Sequence, residues 1–139
     1  MTAAEPWEEL ISVERVLWCH QEGIRRYHGQ GDVTEKAQDC VRGILGNAWS
    51  AALYREPEEA TQGLCFTCCL LTYLTKGHCF IDGNKRVGWL AATEILAGFR
   101  LTIVATEDEA YDLVLKIVEE DLDPDFVVDW VAERLDWLH

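Results

Sequence analysis

No run of apolar residues in this chain is long enough to span a bilayer. Its start, Met-Thr-Ala-Ala-Glu-Pro-Trp-Glu-Glu, has neither a basic opening nor an apolar stretch before a cleavage site. It therefore does not read as a secretory signal, and the expected location is cytoplasmic, with no membrane partner. There are only three prolines, no internal repeat and no low-complexity tract. Positive charge is scarce as well: 12 Lys and Arg stand against 25 Asp and Glu, a formal net charge of −13. That balance argues against a nucleic-acid partner, whose phosphates such a surface repels. What is present is 139 residues, 49% of them hydrophobic, which predicts one globular domain over residues 1–139 with a real core.

Six cysteines are many for this length. Cys65, Cys68 and Cys69 resemble part of a metal site, but no second Cys/His pair with finger-like spacing follows. Positions i, i+3 and i+4 also share one helical face, among Leu64, Leu70 and Leu71, so they read as reduced core thiols. Cys79 differs because it stands in a polar loop, and its reactivity is open.

The apolar pattern is helical nearly throughout, which predicts an all-α bundle. Ser12 can cap a first helix carrying Val16, Leu17, His20 and Ile24, ending near Gly29-Gln-Gly31. Thr34 can start a second through Val41 and Leu45. The stretch Gly46–Pro57 lacks a clear helical period and is expected to form a short extended flap. A third helix is expected from about Glu58 to Lys76 and a fourth from Asn84 to Ala97, stopping at Gly98. Phe99–Val104 reads as a short extended connection. Thr106 with Glu109 forms a capping box for a fifth helix. Asp123-Pro124 opens the last, with Val127, Val131 and Leu135 on its buried face. The third and fourth are apolar nearly all round, so they should be central and should hold the loop between them rigidly. His20 reads as a core or boundary residue, and His28 and His139 as solvated.

That loop reads Gly77-His78-Cys79-Phe80-Ile81-Asp82-Gly83-Asn84-Lys85-Arg86. It lies in a small basic island: Lys76, Lys85, Arg86 and Arg100 against Asp82 and Glu94 between Thr72 and Val104. By contrast, Ala105–His139 carries twelve acids against Lys116 and Arg134, which read mainly as solvated helix faces. A basic island in an acidic chain suggests a locally held anion. His78 can accept a proton from an attacking hydroxyl, because an imidazole titrates near neutrality. Asp82 offers hard oxygens for Mg2+. Gly83 permits close backbone approach. Asn84, Lys85 and Arg86 begin a helix whose free N–H groups and dipole attract anions. Phe80 is expected to point into the core as an anchor. These types divide the work of phosphoryl-type transfer between them. The competing reading is a tight turn with Asp82 or Asn84 as N-cap.

His78-x-Phe80-x-Asp82-Gly83-Asn84-Lys85-Arg86 resembles the signature of the Fic/Doc (Fido) superfamily, H-x-F-x-[D/E]-[G/A]-N-[G/K]-R. All seven specified positions of the nine match. Val16-Leu-Trp-Cys-His20 is similar to the first helix of Doc-type members, and Gly98-Phe-Arg-Leu101 with the acidic helix that follows is similar to their C-terminal half. The resemblance implies a Fido-type helical bundle with a flap, and transfer from ATP or another nucleoside triphosphate, with Mg2+, to a protein hydroxyl. His78 would be the base, Asp82 the metal ligand, and Gly83, Asn84, Lys85 and Arg86 the phosphate-binding segment.

Two departures bear on the branch. Nucleotidyl-transferring Fic proteins mostly have Gly where Lys85 stands, and a second Arg where Trp89 stands. Both features instead resemble the Doc (death on curing) toxins, which implies a protein kinase moving the γ-phosphate to a target such as elongation factor Tu. Gly83, in place of the alanine of the best-known Doc pattern, keeps AMP transfer as the alternative. A degenerate binding module is the third reading. The inhibitory pattern [S/T]-x-x-x-E-[G/N] does not occur in the 139 residues, so restraint is expected from an antitoxin protein in trans.

Overall fold

A computed structural model describes residues 5–27, 35–56, 58–80 and 83–139. Among these lie a 3₁₀ turn at Pro6–Glu9 and six α-helices: α1 Val13–Tyr27, α2 Glu35–Arg55, α3 Glu59–Lys76, α4 Asn84–Gly98, α5 Glu107–Glu119 and α6 Pro124–Ala132. Two three-residue strands, β1 Leu101–Ile103 and β2 Leu135–Trp137, complete the chain. The architecture is thus all-α, with one small antiparallel ribbon pairing Leu101 with Trp137 and Ile103 with Leu135.

Helix starts follow local chemistry. Ser12 Oγ accepts the Arg15 N–H at 3.0 Å ahead of α1. At α5 the capping box closes both ways, Glu109 N–H to Thr106 Oγ1 and Thr106 N–H to the Glu109 carboxylate, each at 3.1 Å. Asp123 accepts the Asp125 N–H at 2.9 Å, and Pro124 follows at the first position of α6. Thr34, expected to start α2, lies outside the described residues, as do His28 and the Gly29–Gly31 end expected for α1.

α3 and α4 are central. In α3 Phe66, Cys68, Cys69, Leu70, Leu71 and Leu74 are buried; in α4 Val87, Ala91, Ala92, Ile95 and Leu96 are. Burying one of the larger of these side chains contributes about 1.5–3 kcal/mol. Their shared core has two parts: α1 and α2 pack one side through Val16, Val41 and Leu45, and α5 and α6 pack the other through Leu113, Ile117, Val127 and Val131. Gly88 sits at the α3–α4 crossing, where an added Cβ would run into Thr75 Oγ1 and stand 3.0 Å from the Leu71 carbonyl. The buried hydroxyls of Thr67 and Thr72 are satisfied within α3, donating to the Gly63 and Cys68 carbonyls at 2.7 Å.

Cys65, Cys68 and Cys69 are free and buried. Burial pushes their thiols up, Cys69 to about 12, so they pack as apolar groups. All twelve acids of the last 35 residues are exposed.

Two expectations are corrected. No flap forms over Gly46–Arg55, because α2 continues through Arg55; Pro57 lies outside the described residues. The buried stripe of α2 is Ala37, Val41, Leu45, Ala48 and Ala52, whose second half is alanine and carries little hydropathy contrast. Gly46 faces the Trp7 ring, where an added Cβ would stand 3.8 Å from it, a packing role that resembled a helix break. Leu135 is not on α6, which ends at Ala132; it is the first residue of β2.

The α5 cap generates a pH prediction. Glu109's carboxyl is held below its ordinary 4.5, first by the Thr106 backbone N–H and then by the Thr106 hydroxyl. Its stabilising effect is present above 4.5 and is lost as pH falls through the lowered value. Glu109→Gln should therefore flatten the acid limb of the urea midpoint against pH. Thr106→Ala should cost about 1 kcal/mol at neutral pH. An unchanged midpoint in both variants would show that the box does not stabilise α5.

Candidate active site

α3 ends as the Gly77 N–H donates to the Tyr73 carbonyl at 2.9 Å, and the chain turns extended. His78 follows and is exposed. Phe80 turns back into the core, 5% exposed, its ring stacked on His20 with centroids 3.8 Å apart and planes 9° apart. Asn84 then closes the loop with one amide. Its Nδ2 donates to the Phe80 carbonyl at 2.9 Å, and its Oδ1 accepts the Phe80 N–H at 3.2 Å. Only an amide can donate and accept in this way; a carboxylate would repel the carbonyl. Ile81 and Asp82 lie outside the described residues, and among those described no three His, Cys, Asp or Glu gather as a metal set.

The turn reading is corrected at its cap. Asn84 is the first residue of α4 and clamps the loop, while Gly83 is the N-cap, with φ 83° and no capping side chain. That left-handed conformation suits glycine. A Cβ here would also stand 3.3 Å from Ile24 Cδ1 and 3.5 Å from His20 Nε2.

The start of α4 is electrostatically unlike the other helices. Glu14, Glu35, Glu59, Glu107 and Asp125 each place an acid in the first turn of theirs; α4 has none and carries Lys85 and Arg86 instead. Lys85 is exposed and Arg86 half-buried. Elsewhere the acids complement the positive helix end. Here that end is reinforced by cations, so phosphate oxygens fit it. A recess of about 460 Å³ lies between α5 and α6, but Glu109, Asp112, Glu119 and Glu120 line it. Its carboxylates oppose a nucleotide's phosphates, so volume alone does not mark the site.

The fold thus brings together the backbone of Phe80, Gly83 and Asn84, with His78 at one end of the loop and Lys85 and Arg86 at the other. α1 supports this assembly and is bolted to α4 by Arg15, whose guanidinium forks onto the Glu94 carboxylate at 2.8 and 2.9 Å. Sequence reasoning placed His20 in the core, where it is 1% exposed, but missed that its ring backs both Phe80 and Gly83. A polar ring on the apolar stripe of α1, between Val16 and Ile24, was the available signal. It also missed that Cys79 pairs with Cys40 of α2, their Cα atoms 5.4 Å apart.

A family model described as the Fic/DOC family matches residues 10–96, more than half of the chain. The chain belongs to the Fic/DOC family. The matched span begins at Leu10, just after the 3₁₀ turn, runs to the last turn of α4 and so contains the whole loop. Family members are transferases that modify proteins and generally use a nucleoside triphosphate with Mg2+. No curated protein matches the chain. None of the helices among the described residues is long and apolar enough to cross a membrane.

The N-cap geometry can be tested directly. Gly83→Ala should lower stability by about 1 kcal/mol or more, read as a lower urea midpoint at constant slope, because a Cβ is strained at positive φ. A midpoint equal to the wild type's would mean that the loop does not need the left-handed conformation.

Proposed function

We propose that the chain is a cytoplasmic Doc-like toxin that moves the γ-phosphate of ATP to a hydroxyl of a target protein. Elongation factor Tu is the expected target. The observation that carries this reading is the pair of side chains at the start of α4. Lys85 is exposed in the first turn, where its ammonium adds to the helix dipole. One turn on, Trp89 is committed to packing: its ring meets Trp130 of α6 edge-on, with centroids 6.2 Å apart. Position 89 therefore supplies no second cation to share a nucleotide's phosphates, as AMP transfer would favour.

In this reading the first turn of α4, Lys85 and Arg86 bind phosphate oxygens. Exposed on the loop, His78 takes the proton of the target hydroxyl as that oxygen bonds to the γ-phosphorus. The bond from γ-phosphorus to the bridging oxygen breaks, and its electron pair leaves on ADP. Asp82 is the residue to hold Mg2+, which when bound supplies neutralisation of the charge on the phosphates. Restraint is assigned to an antitoxin in trans, because the inhibitory sequence pattern is missing from the 139 residues.

AMP addition is the second reading, supported in the sequence by Gly83. The backbone weakens that support, since φ 83° accounts for a glycine whatever group moves. A binding module without turnover is the third, and it leaves His78 and Asp82 without a use.

ATP labelled at the α or the γ position separates the readings. The expected outcome is γ-label and one phosphoryl mass on the target. A nucleotide adduct from the unmutated chain would replace kinase by nucleotidyl transfer, and neither adduct with the correct target and Mg2+ would favour the binding module. His78→Ala should reduce transfer by roughly 10²–10⁴-fold with nucleotide affinity within a few-fold, since a base acts mainly in the transition state. Full activity in that variant would remove His78 from the role. Lys85→Gly should lose γ-transfer and gain at most weak AMP transfer, because Trp89 still lacks a guanidinium; retained kinase activity would detach Lys85 from the choice of phosphate.

A further inference from the structure

Six cysteines divide sharply by surroundings. Cys19, Cys65, Cys68 and Cys69 are 3% exposed or less, and burial pushes the Cys19 thiol up to about 11. Cys40 and Cys79 are instead only half-buried, and they are bonded to each other across 39 residues. Only this pair is open to a reagent from solution.

Its position matters more than its exposure. Cys40 and Ile44 are successive-turn neighbours on one face of α2. Ile44 closes on Gly77, where a Cβ would stand 2.8 Å from its Cδ1, and Cys40 holds Cys79. The two contacts bracket His78. On its other side Phe80 is fixed independently, by His20 and the Asn84 amide. Among the described residues nothing hydrogen-bonds the His78 ring, so its placement comes from the backbone on either side. Gly77 gives a packing contact, while Cys79 gives a covalent one directly beside it.

We propose that Cys40 and Cys79 form a thiol-exchange site that governs the order of the loop bearing His78, closed as the disulfide and released by a dithiol reductant. A dithiol thiolate attacks one sulfur of the pair, and a mixed disulfide forms as the S–S bond breaks. Its second thiol then displaces the remaining protein thiol. The reductant ends as its own disulfide, its two electrons and two protons now on Cys40 and Cys79. Release frees the chain on the His78 side of Phe80 and leaves the Phe80–Asn84 clamp intact. The consequence for catalysis rests on the function proposed above. A base held in place transfers protons faster than one that must first be ordered, so the disulfide form is the more active.

The test uses the full chain, oxidised and after dithiothreitol. Exchange of the Gly77 amide, which donates to the Tyr73 carbonyl, is expected to speed up by about tenfold or more on reduction, while the Phe80 amide, held by Asn84, stays protected. Cys40→Ser should exchange fast in both conditions, with melting as a check that it is folded. Alkylation of the reduced native protein should label Cys40 and Cys79 and spare the four buried thiols. Equal exchange in the two states, or an oxidised protein whose Cys40 and Cys79 both alkylate, overturns the tether. Turnover is measured on the same samples, with the oxidised form expected to be about tenfold faster at unchanged nucleotide affinity. Equal, measurable turnover in both forms overturns the control of catalysis. Absence of turnover from both forms counts against the proposed function instead, and exchange then decides the tether alone.

Discussion

Where α3 crosses α4, the missing side chain of Gly88 lets Thr75 and the Leu71 carbonyl come up against the backbone of the second helix. Two helices with so little polar face must be covered on nearly every side, and here α1 and α2 cover one side and α5 and α6 the other. The ends of both central helices are then fixed by core packing. A loop strung between two such ends inherits their rigidity. That is why a segment rich in polar groups can keep one shape without a sheet to hold it. Within it, the Phe80–His20 stack and the Asn84 amide take over from the core, so local and global constraints agree.

Charge is arranged around the same point. The twelve acids after Ala105 lie exposed on α5, α6, the turns flanking them and the ribbon, while the first turn of α4 has no acid and two cations. A net charge of −13 does not prevent anion binding when the negative charges are solvated and screened at a distance and the positive ones stand at a helix end. Ion pairs at the periphery serve placement. Arg55 forks onto Asp123 and Asp125 at the start of α6, and Arg15 onto Glu94 between α1 and α4. Exposed pairs of this kind contribute little energy singly, and their use here is to set how neighbouring helices meet.

Positions 83 and 89 show how packing constrains the reading of a motif. In sequence one is a variable letter of a signature and the other stands three residues beyond its end. In the fold Gly83 is favoured by a positive φ and by Ile24 and His20 beside it, and Trp89 is part of the α4–α6 contact. A residue explained by the fold loses weight as an indicator of chemistry. Lys85, exposed and with no packing task of that kind, keeps its weight.

The sequence alone determined whatever short-range chemistry decides. Ser12, Thr106 with Glu109, and Asp123-Pro124 marked three helix starts because a cap acts within about one turn. The apolar character of α3 and α4 marked them as central, and the spacing from His78 to Arg86 marked the family. What failed was whatever depends on partners far along the chain. Alanines in the second half of α2 are buried in the core it shares with α3, so their helix left no amphipathic signal. Leu135 joined β2 because β1, 34 residues earlier, offered a ladder. The backing of Phe80 and Gly83 by His20, and the bond from Cys79 to Cys40, arise only when α1 and α2 close on the loop. A one-dimensional pattern records which groups are available, whereas which of them touch is decided by helix packing, since that alone brings distant residues within reach.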